Sequence, residues 1–366
     1  MSPSWSHVRR MLCNKCAALG IPVSGVFELT PRCNLRCKMC YVRLTPEQMR
    51  PIGQERTAQQ WIELARQARD SGMTFLLLTG GEPTLREDFC EIYEELAQMG
   101  LSISLNTNGT LLTPEIRALW HRLPPAQVNL TLYGTCREDY DALCQNPDAF
   151  DSVVEGLDWL KQEGIFVHLN TTMVPTNLQN WEKIEDFAKN RGLELRMTSY
   201  CFPPNRRDCS CFERLSPEDA GQLIVKDAFY REGPQGILKR VKDLDTPLPR
   251  SCELDNGEPM QCTAARSQFW ITWNGKMTPC AMLTQPTADP DSEGFSAAWE
   301  QLKQLCDPIR LCPECVGCPD QKSCLNCAAV TFAETGHFDG KPDYMCRMNR
   351  AYREELFRLA KTLMPK

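Results

Sequence analysis

The sequence predicts an α/β fold, a partial (β/α)6 barrel followed by a small cysteine-rich domain. Three observations carry that expectation. Strand-like apolar runs and helical patterns alternate between residues 22 and 200 at a period of about 20–30 residues, the rhythm of parallel βα units. That rhythm stops over residues 201–251. Beyond it, residues 252–346 hold ten of the 21 cysteines. Six strands and five crossovers fall short of a closed eight-stranded barrel, so an open one is expected, with a flavodoxin-like sheet as the alternative.

Residues 1–21 form an N-terminal extension with Cys13 and Cys16, a C-x2-C pair that reads as incidental thiols. Strands are expected at 26–30, 74–79, 101–106, 128–132, 166–174 and 193–199. Helices are expected between them at 58–71, 88–99, 114–121, 149–162 and 181–190. Residues 201–251 read as a linker with one helix from 216 to 230, started by Ser216 as N-cap and Pro217 at the first helical position. Cys201, Cys209 and Cys211 in this stretch read as buried or non-ligating thiols. In the cysteine-rich region, 267–280 alternates around Asn274-Gly275, a hairpin signal. The tail, residues 347–366, ends in a helix over 347–363, with Met348, Ala351, Tyr352, Leu356, Leu359 and Leu363 near a helical period.

The totals bound the function. Hydrophobic residues make up 42% and charged residues 24%, the balance of a globular protein. A net charge of -6 provides no basic field, which argues against nucleic acid as a partner. One of the most apolar stretches, Leu76-Leu77-Leu78, falls far short of a membrane span. The N-terminus is too polar for a signal peptide, so a cytoplasmic location is expected. There the thiols would stay reduced, which disfavours a disulfide framework. With only four histidines, mixed zinc sites can account for few of the cysteines. Iron–sulfur clusters are the better home for them.

The first expected strand runs into Cys33, Cys37 and Cys40, a C-x3-C-x2-C loop. Three thiolates can hold three irons of a four-iron cube and leave the fourth iron open to a ligand. A structural zinc loop, or three buried thiols, are the alternatives at this point. One βα unit later comes Gly80-Gly81-Glu82-Pro83, where two glycines allow close backbone approach and a carboxylate can accept from an ammonium group. On its own the tetrapeptide would be a turn.

Taken together, residues 22–200 resemble a radical S-adenosylmethionine (SAM) domain. The resemblance implies that Cys33, Cys37 and Cys40 hold a [4Fe–4S] cluster whose open iron chelates SAM, and that an electron splits the sulfonium to a 5′-deoxyadenosyl radical. It matches Gly80, Gly81, Glu82 and Pro83 to the motif that receives the methionine ammonium. By strand position it matches Asn106 and Thr131 to polar SAM contacts; a turn-forming Asn and an ordinary strand Thr are the plainer readings. Met39 stands where relatives place an aromatic against the adenine. Cys144 stands where some carry an arginine for the SAM carboxylate.

The cysteine-rich region resembles the SPASM extension of such enzymes, which binds two auxiliary [4Fe–4S] clusters, for three clusters in all. Carried over, Cys252, Cys262, Cys280 and Cys327 bind the first auxiliary cluster, and Cys315, Cys318, Cys324 and Cys346 the second. Cys306 and Cys312 are surplus, and a zinc ribbon is the alternative. The function this implies is a radical SAM oxidoreductase or maturase that abstracts hydrogen from a ribosomally made peptide and forms a crosslink or other oxidative modification. Tailoring of a haem- or quinone-type cofactor precursor is the alternative. Sulfatase maturation is disfavoured because Ala281 replaces the aspartate expected after Cys280. An iron–sulfur carrier without catalysis is the non-enzyme alternative. A flavodoxin or ferredoxin would be the external reductant. The early first strand leaves no room for a leader-binding domain, which points to a separate leader-binding protein or a small substrate.

Overall fold

The computed structural model describes residues 5–204, 212–244, 260, 262–315 and 318–364. Cys209, Cys211 and Cys252 lie outside the described residues. Six strands follow the expected rhythm: β1 (Ser24–Glu28), β2 (Phe75–Thr79), β3 (Ser102–Thr107), β4 (Gln127–Thr131), β5 (Val167–Thr172) and β6 (Leu195–Thr198). Each pairs in parallel with the next. β1 is buried along its whole length and β2 almost so, which explains why both read as apolar runs rather than as alternation.

Helix α1 (Trp5–Leu19) precedes the sheet. The crossovers are α2 (Ala58–Asp70), α3 (Phe89–Gln98), α4 (Pro114–Arg122), α5 (Arg137–Cys144), α6 (Ala149–Gln162) and α7 (Trp181–Asn190). Local chemistry sets their starts. Thr57 and Gln60 form a capping box on α2, and Thr113 caps α4 with Pro114 at its first position. Helix α5 was not expected: it opens on Arg137-Glu138-Asp139 without a side-chain cap and buries only Tyr140, Leu143 and Cys144. The linker helix, α8 (Pro217–Asp243), starts at the expected Ser216 cap but runs on past a break at Gly233 and Pro234. The break needs glycine, since φ there is +66°.

The expected hairpin forms from β7 (Gln268–Ile271) and β8 (Met277–Thr278), turning at Asn274-Gly275. Its placement differs from expectation. β7 pairs in parallel with β1, so the hairpin extends the barrel sheet to eight strands in the order β6-β5-β4-β3-β2-β1-β7-β8. Gly25 makes the fit, because a Cβ there would lie 2.6 Å from the Phe269 ring. Phe269 in turn packs edge-on against Phe295 of α9 (Phe295–Cys306). Two further helices follow, α10 (Ala328–Thr335) and α11 (Asp343–Leu363). α11 lies along α8, burying Leu356 and Ala360 against Val225, Ala228 and Ile237. Gly221 allows the approach: a Cβ there would meet the Met348 carbonyl at 2.3 Å. Among the described residues no helix is long and apolar enough to cross a membrane.

Candidate active site

The C-terminal ends of all six parallel strands open onto one cavity of ≈ 590 Å³. This is the end of a βα sheet where loops can converge without disturbing the core. Cys33, Cys37 and Cys40 line it from the loop after β1. Thr79, Gly80 and Gly81 follow from β2, Asn106, Thr107 and Asn108 from β3, and Thr131 and Tyr133 from β4. Thr172, Thr198, Tyr200, Cys201 and Phe202 come from β5 and β6. The far wall is made by Met282, Leu325, Cys327, Val330 and Met345, all from the cysteine-rich half.

The three-cysteine loop is held by backbone bonds at both ends. Gly81 N–H donates to the Thr30 carbonyl at 2.7 Å, Glu82 N–H to Arg32 at 2.8 Å, and Leu44 N–H to Pro31 at 3.0 Å. A Cβ on Gly80 would stand 2.3 Å from the Thr30 carbonyl, and one on Gly81 2.3 Å from that of Arg32. The glycines are thus required first by the loop that carries the cysteines. Glu55 adds a polar anchor, accepting both Arg32 N–H groups at 2.8 and 2.9 Å and the Thr30 hydroxyl. Arg86 lies buried beneath, donating to the carbonyls of Leu29 and Arg56 and to Asp88.

Donors also point at the sulfurs. Leu35 N–H lies 3.4 Å from Cys33 Sγ, Arg43 N–H 3.3 Å from Cys40 Sγ, and the Asn108 amide 3.7 Å from Cys33 Sγ. Burial raises the pKa of Cys33, and the neighbouring Glu82 raises it further. The Cys37 pKa is also raised, chiefly by the hydrogen bond its thiol gives to Cys144 and then by burial. A bound cation would reverse this, since thiolate is the ligand form. The donor set therefore fits a thiolate-held cluster: three thiols on one cavity wall, hydrogen-bond donors at their sulfurs, and an open face towards the cavity. Among the described residues no three Cys, His, Asp or Glu side chains converge tightly enough to hold a single metal ion.

Five of the seven expected SAM-contacting residues line the cavity: Met39, Gly80, Gly81, Asn106 and Thr131. Glu82 and Pro83 do not; both are buried behind it. Glu82 accepts the Thr84 N–H and hydroxyl at 3.1 and 2.6 Å, the Thr107 hydroxyl at 2.8 Å and the Asn108 N–H at 2.7 Å. Its carboxylate thereby ties the end of β2 to the end of β3. Burial pushes its pKa up against the pull of those hydrogen bonds. The motif's contribution to the cavity is its glycine backbone, while its carboxylate braces the walls.

In the cysteine-rich half, Cys315 neighbours Cys312, Cys346 and Cys324, and Cys346 neighbours Cys318. The expected second set is thus gathered in one region, with the surplus Cys312 hydrogen-bonded to Cys315. Burial and these neighbours push Cys315 up to about 12. Of the other set, Cys327 faces the cavity, Cys280 lies beside the buried surplus Cys306, and Cys262 is partly buried just before β7.

Sequence reasoning passed over Asn108, Thr172, Thr198, Tyr200 and Phe202 as site residues. Strand-end position was the signal for the two threonines. Tyr200 is tied across the cavity mouth: its hydroxyl donates to Glu334 of α10 at 2.7 Å, and Arg214 donates to the same carboxylate at 2.7 and 3.2 Å.

Comparison with known proteins agrees with this geometry. Residues 27–189 match the model of the Radical SAM superfamily. The chain is 27% identical over 330 residues to the AdoMet-dependent heme synthase of Methanosarcina barkeri, covering 85% of this chain and 93% of that protein. It is 27% identical over 339 residues to the mycofactocin maturase MftC of Mycobacterium ulcerans, covering 90% and 88%. The native anSMEcpe structure with bound AdoMet superposes with a TM-score of 0.68 at 16% identity, over 93% of this chain and 99% of that one. That likeness is one of fold.

Proposed function

We propose that the chain is an enzyme of the radical SAM superfamily that oxidises a haem-type cofactor precursor by hydrogen abstraction followed by loss of one electron. The observation that carries this reading is the shared cavity, which Cys33, Cys37 and Cys40 line on one side and Cys327 on the other. Cys33, Cys37 and Cys40 would hold a [4Fe–4S] cluster, which when bound supplies the electron that splits SAM. The backbone of Gly80 and Gly81 would receive the methionine ammonium, Asn106 and Thr131 the polar edges of the nucleoside, and Met39 its apolar face.

Two auxiliary clusters, as in a SPASM extension, would provide the electron sink. Cys262, Cys280 and Cys327 with Cys252 would hold one, and Cys315, Cys318, Cys324 and Cys346 the other. Besides Tyr41, two phenols line the cavity, Tyr133 and Tyr200. Burial raises both well above the ordinary tyrosine value, so both stay protonated: the Tyr133 hydroxyl can donate to a substrate, while the Tyr200 hydroxyl donates to Glu334. The electron would come from a flavodoxin or ferredoxin, in the cytoplasm.

The haem-type substrate is favoured by the near-complete coverage of the heme synthase. A second reading is favoured by the similar coverage of MftC. Under it, the substrate is a ribosomally made peptide, delivered by a separate leader-binding protein. Anaerobic reconstitution should load about twelve irons per chain, and SAM with dithionite should then yield 5′-deoxyadenosine. Adding an iron tetrapyrrole that carries carboxylate side chains should raise that yield and change the tetrapyrrole mass. If only peptides do so, the second reading holds. A loaded protein that forms no 5′-deoxyadenosine would overturn both.

A further inference from the structure

The barrel sheet changes character at β3. β1 and β2 are buried on both faces, as parallel strands usually are. In β4 and β5 burial alternates instead: Val128, Leu130, Val167 and Leu169 join the core, and the residues between them face inward, half-buried. Those inward residues are polar, where a barrel interior is ordinarily filled by branched apolar side chains. Below the cavity-lining Asn106 and Thr131 come Ser104, Gln127 and Asn129; below Thr172 and Thr198 come His168, Asn170 and Arg196.

The two halves of this inner face differ in how their polar groups are satisfied. On β3 and β4 the amides bind one another. Asn129 donates to Asn106 at 2.8 Å and accepts from Gln127 at 2.5 Å, and Asn106 donates to Thr79 at 3.4 Å. On β5 and β6, among the described residues, no group bonds to or pairs with the side chains of Asn170, Thr172, Arg196 or Thr198. Arg196 stands in register beside Asn170, and the pair lies one rung below Thr172 and Thr198, about 6.6 Å along the strand. Glu194, two residues before Arg196, turns to His168 at 3.4 Å. Arg196 is thus left as a free cation on this face among the described residues.

We propose that the inner face of β5 and β6 binds a carboxylate arm of the substrate, with Arg196 as the charged contact and Asn170, Thr172 and Thr198 as hydrogen-bond donors. The inference rests on the haem-type reading, whose substrate carries such arms. Size points the same way. A cavity of ≈ 590 Å³ suits one drug-sized ligand, yet it has to admit both SAM and a substrate, so the substrate must reach beyond it. The far wall, with Met282, Leu325, Val330 and Met345, suits a flat apolar macrocycle and leaves its charged arms to the polar side. There the free guanidinium offers a carboxylate two parallel N–H groups, and the amide and hydroxyls can donate to the same oxygens. Arg196 is exposed on β6, at the open end of the sheet, so an arm can reach it without unpacking the core.

The test is an anaerobic absorbance titration of full-length, reconstituted protein with haemin, an iron porphyrin bearing two propionates, and with its dimethyl ester. Arg196→Gln should weaken haemin binding about tenfold, the loss expected for one charge-assisted contact. Arg196→Lys keeps the charge but not the paired N–H groups and should weaken it less. The ester, which has no carboxylate, should bind wild type and Arg196→Gln alike. Equal haemin affinities in wild type and Arg196→Gln would make Arg196 an edge-strand charge that only discourages strand pairing, and would overturn the inference while the haem-type reading stands. An equal loss for haemin and for the ester would show that the substitution disturbs the cavity and not a carboxylate contact, and equally overturn it. A wild type that binds neither porphyrin would overturn the reading and the inference together.

Discussion

Asn108 shows how much of the site depends on single side chains that no motif marks. Its amide donates to Asn34 at 2.9 Å and reaches Cys33 Sγ at 3.7 Å, while its carbonyl oxygen accepts the Thr110 N–H and hydroxyl at 3.0 and 2.6 Å. Its backbone N–H is one of the donors that hold Glu82. Asn108→Ala removes a donor beside Cys33, a proposed cluster ligand, and should speed stripping of the proposed SAM-responsive cluster by a chelator about tenfold. Asn108→Asp sets a negative charge beside the thiolate and should release it faster still. Equal stripping rates in all three proteins would show that Asn108 only shapes the turn. Cys33, Cys37 and Cys40 were legible because their spacing puts three thiols in one loop, and that loop lines the cavity. Asn108 and Tyr200 were not, because each meets the site through tertiary contacts from other segments. Glu82 was legible as a motif member, but its partners Thr84, Thr107 and Asn108 decide which way its carboxylate points.

The elements that present these residues were readable to the extent that their signals are local. All six barrel strands lie where apolar runs and turn residues put them, and α2, α3, α4, α6 and α7 lie where the helical period does. Helix α5, short and polar at its start, carried too little periodicity to read. The partner of α8 was equally hidden in the sequence. Arg231 of α8 donates to Asp227 at 2.8 Å and to the Leu195 carbonyl of β6 at 2.8 Å, and it pairs with Glu185 of α7. Burial, with Asp227 close by, raises Glu185 to about 7 despite the attraction of Arg231. A carboxyl raised in the folded state binds its proton more tightly there than in the unfolded chain. Its contribution to stability is therefore full below the unfolded value of about 4.3 and is lost as pH rises through about 7. Glu185→Gln removes that titration, so the fall in Tm between pH 5 and pH 8 should be shallower than in wild type. Parallel Tm profiles would mean that Glu185 titrates as it does in the unfolded chain.

At the scale of the whole molecule, the cysteine-rich half completes the barrel. β1 is central only because β7 pairs with it; without β7 it would be an edge strand with both faces buried and its outer row of peptide groups unpaired. Trp270 of β7 also donates its indole N–H to the buried Glu28 carboxylate of β1 at 3.0 Å. Phe269 packs onto α9, and the Tyr200–Glu334–Arg214 link closes the other side of the cavity mouth. An unpaired, apolar strand edge is a template for aggregation. Residues 1–243 expressed alone should therefore be insoluble, even though they contain every barrel strand and the three-cysteine loop. Co-expression with residues 260–366 supplies β7 and α11, and should recover a soluble complex of the two fragments. A soluble, monomeric 1–243 fragment melting within about 2–4 °C of the intact chain, a difference worth on the order of 1 kcal/mol, would show that the barrel stands without β7 and β8. The electron path of the proposed reaction gives this architecture its sense: a sheet shared by both halves fixes Cys327 opposite Cys33, Cys37 and Cys40, so a substrate in the cavity would sit between the two sets of thiols.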